Sequence, residues 1–230
     1  MPKVYLELKD IERLEEAASC LRDRLLIRVL FWGACRVSEA LAIKIPEDMD
    51  ATNGTITIKH LKTRTRLLCP YCNSGISRAA KFCPGCGKEV PEPIRHQQEI
   101  HRQRTIPLDD ETMSLLANFI SQDHTKGLLF KICRSHARKI VKDCAERAGL
   151  GKLVNPDTGR IRGISPHRLR DAFATMAVLQ DDSTDSIRNL QEQLGHANIG
   201  TTMKYRKIAG REQREWYDKL KEGIRDGNCN

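Results

Sequence analysis

Residues 164–178 read ISPHRLRDAFATMAV, a stretch that combines a helix start with clustered charge. Ser165 and Pro166 open a helix, Ser165 as its N-cap and Pro166 at the first helical position, where a missing N–H costs nothing. The helix is expected to run to about Leu179. His167 and Arg170 are three residues apart and share one face. That face lies on the first turn, where backbone N–H groups favour an anion. A His-x-x-Arg pair alone specifies no chemistry. Downstream, a second helix over Thr184–Leu194 stops at Gly195, the residue type expected just past a helix end. His196 follows at once, and Tyr205 comes nine residues later. The remainder of the C-terminal region, Thr201–Lys221, is expected to be mostly helical.

Upstream the pattern is again helical. Leu8, Ile11, Leu14, Ala17, Ala18 and Leu21 recur at helical spacing, an apolar helix follows over Asp23–Ala34, and a short one over Val37–Ile43. The stretch TNGTITIKH (52–60) is different, with an Asn53-Gly54 turn signal and then alternating Thr and Ile, which predicts a strand. A second strand signal, RQRTIPL (102–108), would complete a hairpin, but an insert of roughly 35 residues intervenes. Helices over Asp110–Ser121 and Ser135–Ala148 and a Gly/Pro-rich loop (149–163) complete the chain. The expected class is α+β, mainly helical with a small antiparallel sheet and one inserted module.

With 230 residues the chain can build a real core without disulfides. A hydrophobic content of 40% against 30% charged residues predicts a soluble protein. No apolar run approaches the roughly 20 residues of a membrane helix; the longest, Leu25–Cys35, is interrupted by Arg28. The N-terminus has no apolar segment of the signal-peptide kind. Lys and Arg number 39 against 30 Asp and Glu, and this excess of nine favours a polyanionic partner, nucleic acid foremost.

Four of the nine cysteines are clustered as CPYC (69–72) and CPGC (83–86). Each C-x-x-C turn aims two thiolates at one point. Four thiolates suit tetrahedral zinc and leave no position for a substrate water, so Cys69, Cys72, Cys83 and Cys86 predict a structural zinc site in a zinc-ribbon insertion over residues 66–92. The scattered remaining cysteines fit a reducing, cytoplasmic compartment rather than a disulfide framework. His96 and His101 are read as exposed or DNA-facing, not as ligands. The insert and hairpin are basic, and Lys59, Arg64, Arg66, Arg78, Lys81, Arg102 and Arg104 are candidate phosphate contacts; a solvated charged face is the plainer alternative.

Two further segments stand out. WGACRVSEALAI (32–43) places Arg36 and Glu39 in apolar surroundings, where a buried Arg needs an anionic partner. LKTR (61–64) places Lys62 in the interrupted hairpin. Taken in order, GACRVSEAL, LKTR with RQRTIPL, SPHRLRDAFAT and LGHANIGTTMKY resemble the arginine boxes, lysine hairpin and nucleophile segment of the tyrosine recombinases, the phage-integrase family.

The resemblance covers nearly the whole chain apart from the insert. It implies a tyrosine-recombinase catalytic domain over 1–230, lacking the family's N-terminal core-binding domain. It implies cleavage and rejoining of double-stranded DNA through a 3′-phosphotyrosyl intermediate, without ATP or a catalytic metal. Arg36 and Arg170 would clamp the scissile phosphate, a role suited to planar guanidiniums, with His196 as a further donor. Tyr205 would be the nucleophile, His167 would accept or relay its proton, Lys62 would protonate the leaving 5′ oxygen, and Glu39 would orient the site. It also implies a homo-oligomer on DNA through the C-terminal segment with Trp216, Tyr217 and Leu220, and a prokaryotic, viral or plasmid setting such as a mobile element. Two other readings stay open: type IB topoisomerase-like relaxation, and an inactive zinc-ribbon DNA-binding regulator.

Overall fold

The computed structural model describes residues 3–59, 63–99, 103–123, 126–155, 158–209, 217–218 and 221–222. In chain order its elements are α1 (Leu8–Glu16), α2 (Leu21–Trp32), α3 (Val37–Ala40), β1 (Lys44–Ile45), β2 (Met49–Asp50), β3 (Thr55–Lys59), β4 (Thr63–Leu68), β5 (Gly75–Ile76), β6 (Ile94–Glu99), β7 (Gln103–Pro107), α4 (Asp110–Asp123), β8 (Gly127–Leu128), α5 (Arg134–Arg147), β9 (Leu153–Val154), β10 (Ile161–Arg162), α6 (Pro166–Gln180), α7 (Thr184–Leu194), α8 (Ile199–Thr202) and α9 (Lys204–Ala209). Two compact units result: Met1–Ile58 with Arg104–Asn230, and Lys59–Gln103. Among the described residues no helix is long and apolar enough to cross a membrane.

The Lys59–Gln103 unit is wider than the expected 66–92. Strands β4 and β6 pair antiparallel from Thr63↔Glu99 to Leu68↔Ile94, and β5 adds on the other side of β4. TRTRLL and IRHQQE lack the apolar alternation that marks a half-buried strand, so this ladder left no sequence signal. The unit's apolar core among the described residues is slight: buried Cys69, Cys83 and Val90, with Ile76 packed against them.

In the larger unit, α2 is the central helix. Its Leu25, Leu26, Ile27, Val29, Leu30 and Phe31 are all buried. A helix that is apolar all round must be covered on every side, and α1, α4 and α6 pack against it. Phe31 meets Phe173 of α6 edge-on, with ring centroids 5.8 Å apart. Helix α6 serves two clusters: Leu169 and Ala172 join the main core, while Ala174 and Val178 join a second one with Ala34, Ile187, Leu190, Leu194 and Tyr205. The candidate site lies where these clusters adjoin. The expected strand pair survives as neighbours in a sheet of order β2-β3-β7. The two-residue pairs β1 with β8 and β9 with β10 are too short to signal in sequence. The C-terminal helix is not continuous: α8 ends at Thr202 and α9 begins at Lys204, and Trp216 and Leu220 lie outside the described residues.

Arg28 is buried in the middle of α2. A buried guanidinium needs anionic and polar partners, and three elements supply them. Its Nη1 donates to Glu15 Oε2 of α1, its Nη2 to Asp109 Oδ1 and its Nε to Thr112 Oγ1 of α4, each at 2.8 Å. Removing one partner of a buried pair strands the other charge, at about 3–5 kcal/mol. Arg28→Met is therefore expected to lower unfolding free energy by about 3 kcal/mol, read as a fall in the urea midpoint without change of slope. Lys142→Met, at an exposed pair with Glu146, is expected to cost less than about 1 kcal/mol.

Candidate active site

The site is organised by Glu39, whose side chain is 1% exposed. Helix α3 is only four residues long and begins at Arg36, its N-cap. Glu39 reaches back one turn, so the Arg36 backbone N–H donates to Oε2 at 3.0 Å and Arg36 Nη1 donates to Oε1 at 2.7 Å. Arg104 of β7 donates from Nη2 to Oε2 at 2.8 Å. Arg170 Nη1 lies 3.8 Å from the same oxygen. Burial disfavours the charged carboxylate, but hydrogen bonds and charge from Arg104 and Arg36 outweigh it and hold Glu39 at about 2.

Arg170, on the first two turns of α6, is fully buried. Its Nη1 donates to the Ala34 carbonyl at 2.6 Å and its Nη2 to the Leu194 carbonyl at 2.5 Å. Burial and the neighbouring Arg36 charge bring it down to about 10. Ala34 has φ +44°, in the left-handed region that costs an L-residue about 1 kcal/mol or more. The residue with this strained backbone supplies one of the two carbonyls that hold Arg170.

Helix α7 ends at Gly195 with φ +61°, and the turn delivers His196. A Cβ at Gly195 would stand 2.9 Å from Arg104 Nη1, so glycine is needed here for both conformation and space. Arg104 Nε donates to the Gln193 carbonyl at 2.8 Å, which ties β7 to the same turn. The His196 ring contacts Thr202 Oγ1 through Nδ1 at 2.9 Å and lies parallel to the Tyr205 ring, centroids 6.4 Å apart. Burial, then the charges of Arg170, Arg36 and Arg104, lower His196 to about 4. Its imidazole is neutral at pH 7.

Tyr205 of α9 is 8% exposed. Its hydroxyl donates to Asp171 Oδ1 at 3.0 Å. Burial, then the Asp171 charge and hydrogen bond, raise the phenol well above its ordinary value, against the opposing pull of Arg170 and Arg36. His167 is not the partner of the phenol. Its side chain is 72% exposed, and its Nε2 lies 3.7 Å from Asp171 Oδ1.

Arg36, Glu39, Arg170, His196 and Tyr205 are thus brought together, with His167 at the edge and Lys62 outside the described residues. Arg104 is a correction. Expected on a DNA-facing surface, it is drawn inward by the buried Glu39 carboxylate and the Gln193 carbonyl. Asp171 and Thr202 were missed. Asp171 had a usable signal, since it stands four residues after His167 and three after Arg168 on one helix face. Of the other candidate phosphate contacts, Arg66, Arg78 and Lys81 are exposed and Lys59 is half-buried; Arg102 lies outside the described residues, as does the Arg64 side chain. His96 is exposed, and His101 lies outside them too.

In the Lys59–Gln103 unit, the Sγ atoms of Cys69, Cys72, Cys83 and Cys86 all lie within 4.8 Å of one another. Two of the separations are 3.7 Å (Cys69 to Cys86) and 3.5 Å (Cys72 to Cys83). These are far beyond a disulfide of about 2.05 Å and near the edge of about 3.8 Å that four sulfurs make around an ion with bonds of about 2.3 Å. The two turns have the same construction. In one, Cys69 N–H donates to the Ser74 carbonyl, Asn73 N–H to the Cys69 carbonyl and Tyr71 N–H to Cys69 Sγ; in the other, Cys83 N–H donates to the Lys88 carbonyl, Gly87 N–H to the Cys83 carbonyl and Gly85 N–H to Cys83 Sγ. Asn73 and Gly87 both take positive φ, +56° and +70°. The donor set fits zinc.

The sequence signature of the phage integrase family matches residues 94–212. The tyrosine recombinase XerA of Pyrococcus horikoshii is 25% identical over 221 residues, covering 96% of this chain and 62% of its own length. A crystal structure of XerA recombinase superposes with a TM-score of 0.62 at 23% identity, over 96% of this chain and 66% of that one. A XerH site-specific recombinase bound to palindromic difH substrate, a post-cleavage complex, gives 0.59 at 21% identity, over 98% and 54%. The chain spans little more than half the length of the curated relatives it matches.

Glu39 and His196 each bind fewer protons folded than unfolded as the pH falls, so the stability each contributes is lost on acidification. For His196 the loss runs from its ordinary 6.5 down to about 4, and for Glu39 from 4.5 down to about 2, the latter worth about 3 kcal/mol. An NMR titration of the DNA-free protein is expected to show His196 changing near pH 4, well below an exposed histidine.

Proposed function

The chain belongs to the phage integrase family, and from that premise we propose that it is a site-specific DNA recombinase that cleaves and rejoins double-stranded DNA through Tyr205. The observation that carries this reading is the placement of the Tyr205 hydroxyl. The Tyr205 ring packs in one cluster with Ala34 and Leu194, whose carbonyls hold Arg170, and lies parallel to the His196 ring with centroids 6.4 Å apart. The XerH recombinase, bound to palindromic difH substrate in a post-cleavage complex, supports DNA as the partner. Recombination joins two sites, so assembly of copies on DNA is part of the proposal.

The chemistry follows from the groups present. Attack on a phosphodiester builds charge on its nonbridging oxygens. Fixed guanidinium donors stabilise that charge without reorganising at the moment of reaction. Arg36, the more exposed of the two, is suited to meet the phosphate first. Arg170, locked by two carbonyls, cannot swing away and supplies a fixed field. Neutral His196 has a ring N–H to offer. Burial and then three nearby cations depress its pKa, and an arriving phosphate would offset the cations' part. Lys62 keeps the role the resemblance implies, donor to the leaving 5′ oxygen.

Cys69, Cys72, Cys83 and Cys86 would hold zinc as a structural centre, and the bound ion would fix the two cysteine turns to one another. Zinc can contribute on the order of 10 kcal/mol to folding a small module, which this unit needs given its slight core. Between residues 59 and 103 there are nine Lys or Arg against three Glu, which favours contact with a phosphate backbone.

Three outcomes are expected. Purified protein traps covalently on DNA carrying a 5′-bridging phosphorothiolate, and Tyr205→Phe does not; a Tyr205→Phe adduct would end the proposal. Arg170→Ala lowers the trapping rate by about 10²–10³, the usual effect of losing one such donor. Purified protein contains zinc by elemental analysis. Chelation or Cys83→Ser makes the Lys59–Gln103 segment the first site of proteolysis and leaves the thermal transition of the larger unit in place.

A further inference from the structure

We propose that Asp171 is the general base that takes the Tyr205 proton, with His167 as its outlet to solvent. This rests on the reading of Tyr205 as nucleophile and assigns the proton a different acceptor from the one the sequence resemblance implies.

Geometry makes the case. A general base must lie within about 2.6–3.2 Å of the atom whose proton it removes. Asp171 Oδ1 meets that condition at 3.0 Å from the Tyr205 hydroxyl, which donates to it. The two oxygens of Asp171 are divided between tasks. Oδ2 accepts from Arg168 Nη1 at 3.1 Å, which fixes the plane of the carboxylate. Oδ1 faces the phenol and also lies 3.7 Å from His167 Nε2. Tyr205 is buried and the His167 side chain is open to solvent, so the carboxylate stands between a protonated phenol and a side chain able to exchange protons with water. All three members of the chain other than Tyr205 come from the first turns of α6, at positions 167, 168 and 171, which is why they meet at one edge.

The groups facing this pair are Arg168, His167 and Arg170 from α6, Arg36 at the start of α3 and His196 after α7. Burial and the Asp171 charge keep the phenol protonated in the free protein, so attack requires that its proton have somewhere to go. In the step, the Tyr205 oxygen forms a bond to phosphorus and the bond from phosphorus to the 5′ oxygen breaks. The phenolic proton passes to Asp171 Oδ1, and the departing 5′ oxygen takes a separate proton from its own donor. Arg36 and Arg170 compensate the phosphate charge throughout.

The alternative is that Asp171 only latches Tyr205 in a resting position. Single-turnover trapping on the phosphorothiolate substrate, followed against pH, separates the two. For a base, Asp171→Asn slows adduct formation by about 10²-fold or more at neutral pH, and the rate then climbs about tenfold per pH unit as hydroxide ionises the phenol directly. Asp171→Glu, which keeps a carboxylate, recovers part of the rate and retains the wild-type pH profile. A variant rate within threefold of wild type, or faster, overturns the proposal in favour of a latch. So does a loss for Asp171→Asn with no pH recovery, or a dead Asp171→Glu, in protein that keeps the wild-type thermal transition and binds uncleaved DNA. If Asp171→Asn does not fold, the Asp171→Glu profile decides. Wild-type protein that binds the substrate and never forms an adduct removes the parent reading and this one together, whereas a normal wild-type adduct with an unimpaired Asp171→Asn removes this one alone.

Discussion

The Glu39 carboxylate, sealed from solvent and ionised, is the interaction on which the site depends. Three guanidiniums, from Arg36, Arg104 and Arg170, lie within 4 Å of its oxygens. Like charges packed this closely would repel, and each alone would pay a large desolvation cost. One fixed anion among them lets the cluster form in the free protein. It leaves an excess of positive charge that an incoming phosphate can complete. Because Glu39 is bound by the backbone N–H of Arg36 as well as its side chain, the short helix α3 and the electrostatics of the site are one structure.

The surrounding elements secure this arrangement from several directions of the chain. Arg104 joins strand β7 to the turn after α7. Arg170 joins α6 to the carbonyls of Ala34 and Leu194. The parts that touch Tyr205 are therefore cross-braced by charged hydrogen bonds, which are shorter and stronger than neutral ones. The second apolar cluster, with Ala174, Val178, Leu190 and Leu194, holds the tyrosine ring itself. Packing positions the ring, and polar contacts position the hydroxyl.

Much of this was legible in the sequence because it rests on local rules. Pro166 at a helix start, Gly195 at a helix end and the apolar runs of α2 and α6 all act within a few residues, and the helices fall close to where the pattern puts them. Arg36 and Glu39 were recognisable because charge in an apolar stretch demands a partner. What stayed hidden depends on the other half of a contact. Arg104 sits among basic residues that read as a surface, and only its neighbours in space reveal it as a site residue. Asp171 looked like an ordinary helical acid until α9 brought a phenol to it. TRTRLL and IRHQQE carry no apolar alternation, so no periodicity announced the β4–β6 ladder.

Each cysteine turn is closed by its own main chain: two backbone hydrogen bonds and an N–H aimed at sulfur hold each pair of thiols at a set spacing. An ion joining them would have only to dock two ready-made halves, and residues 77–80, between β5 and the second turn, need not be ordered by it. Lengthening or rewriting that connector should then be tolerated far better than any change within the turns. That short segment becomes the place where a descendant of this protein could acquire new contacts without disturbing either cysteine turn.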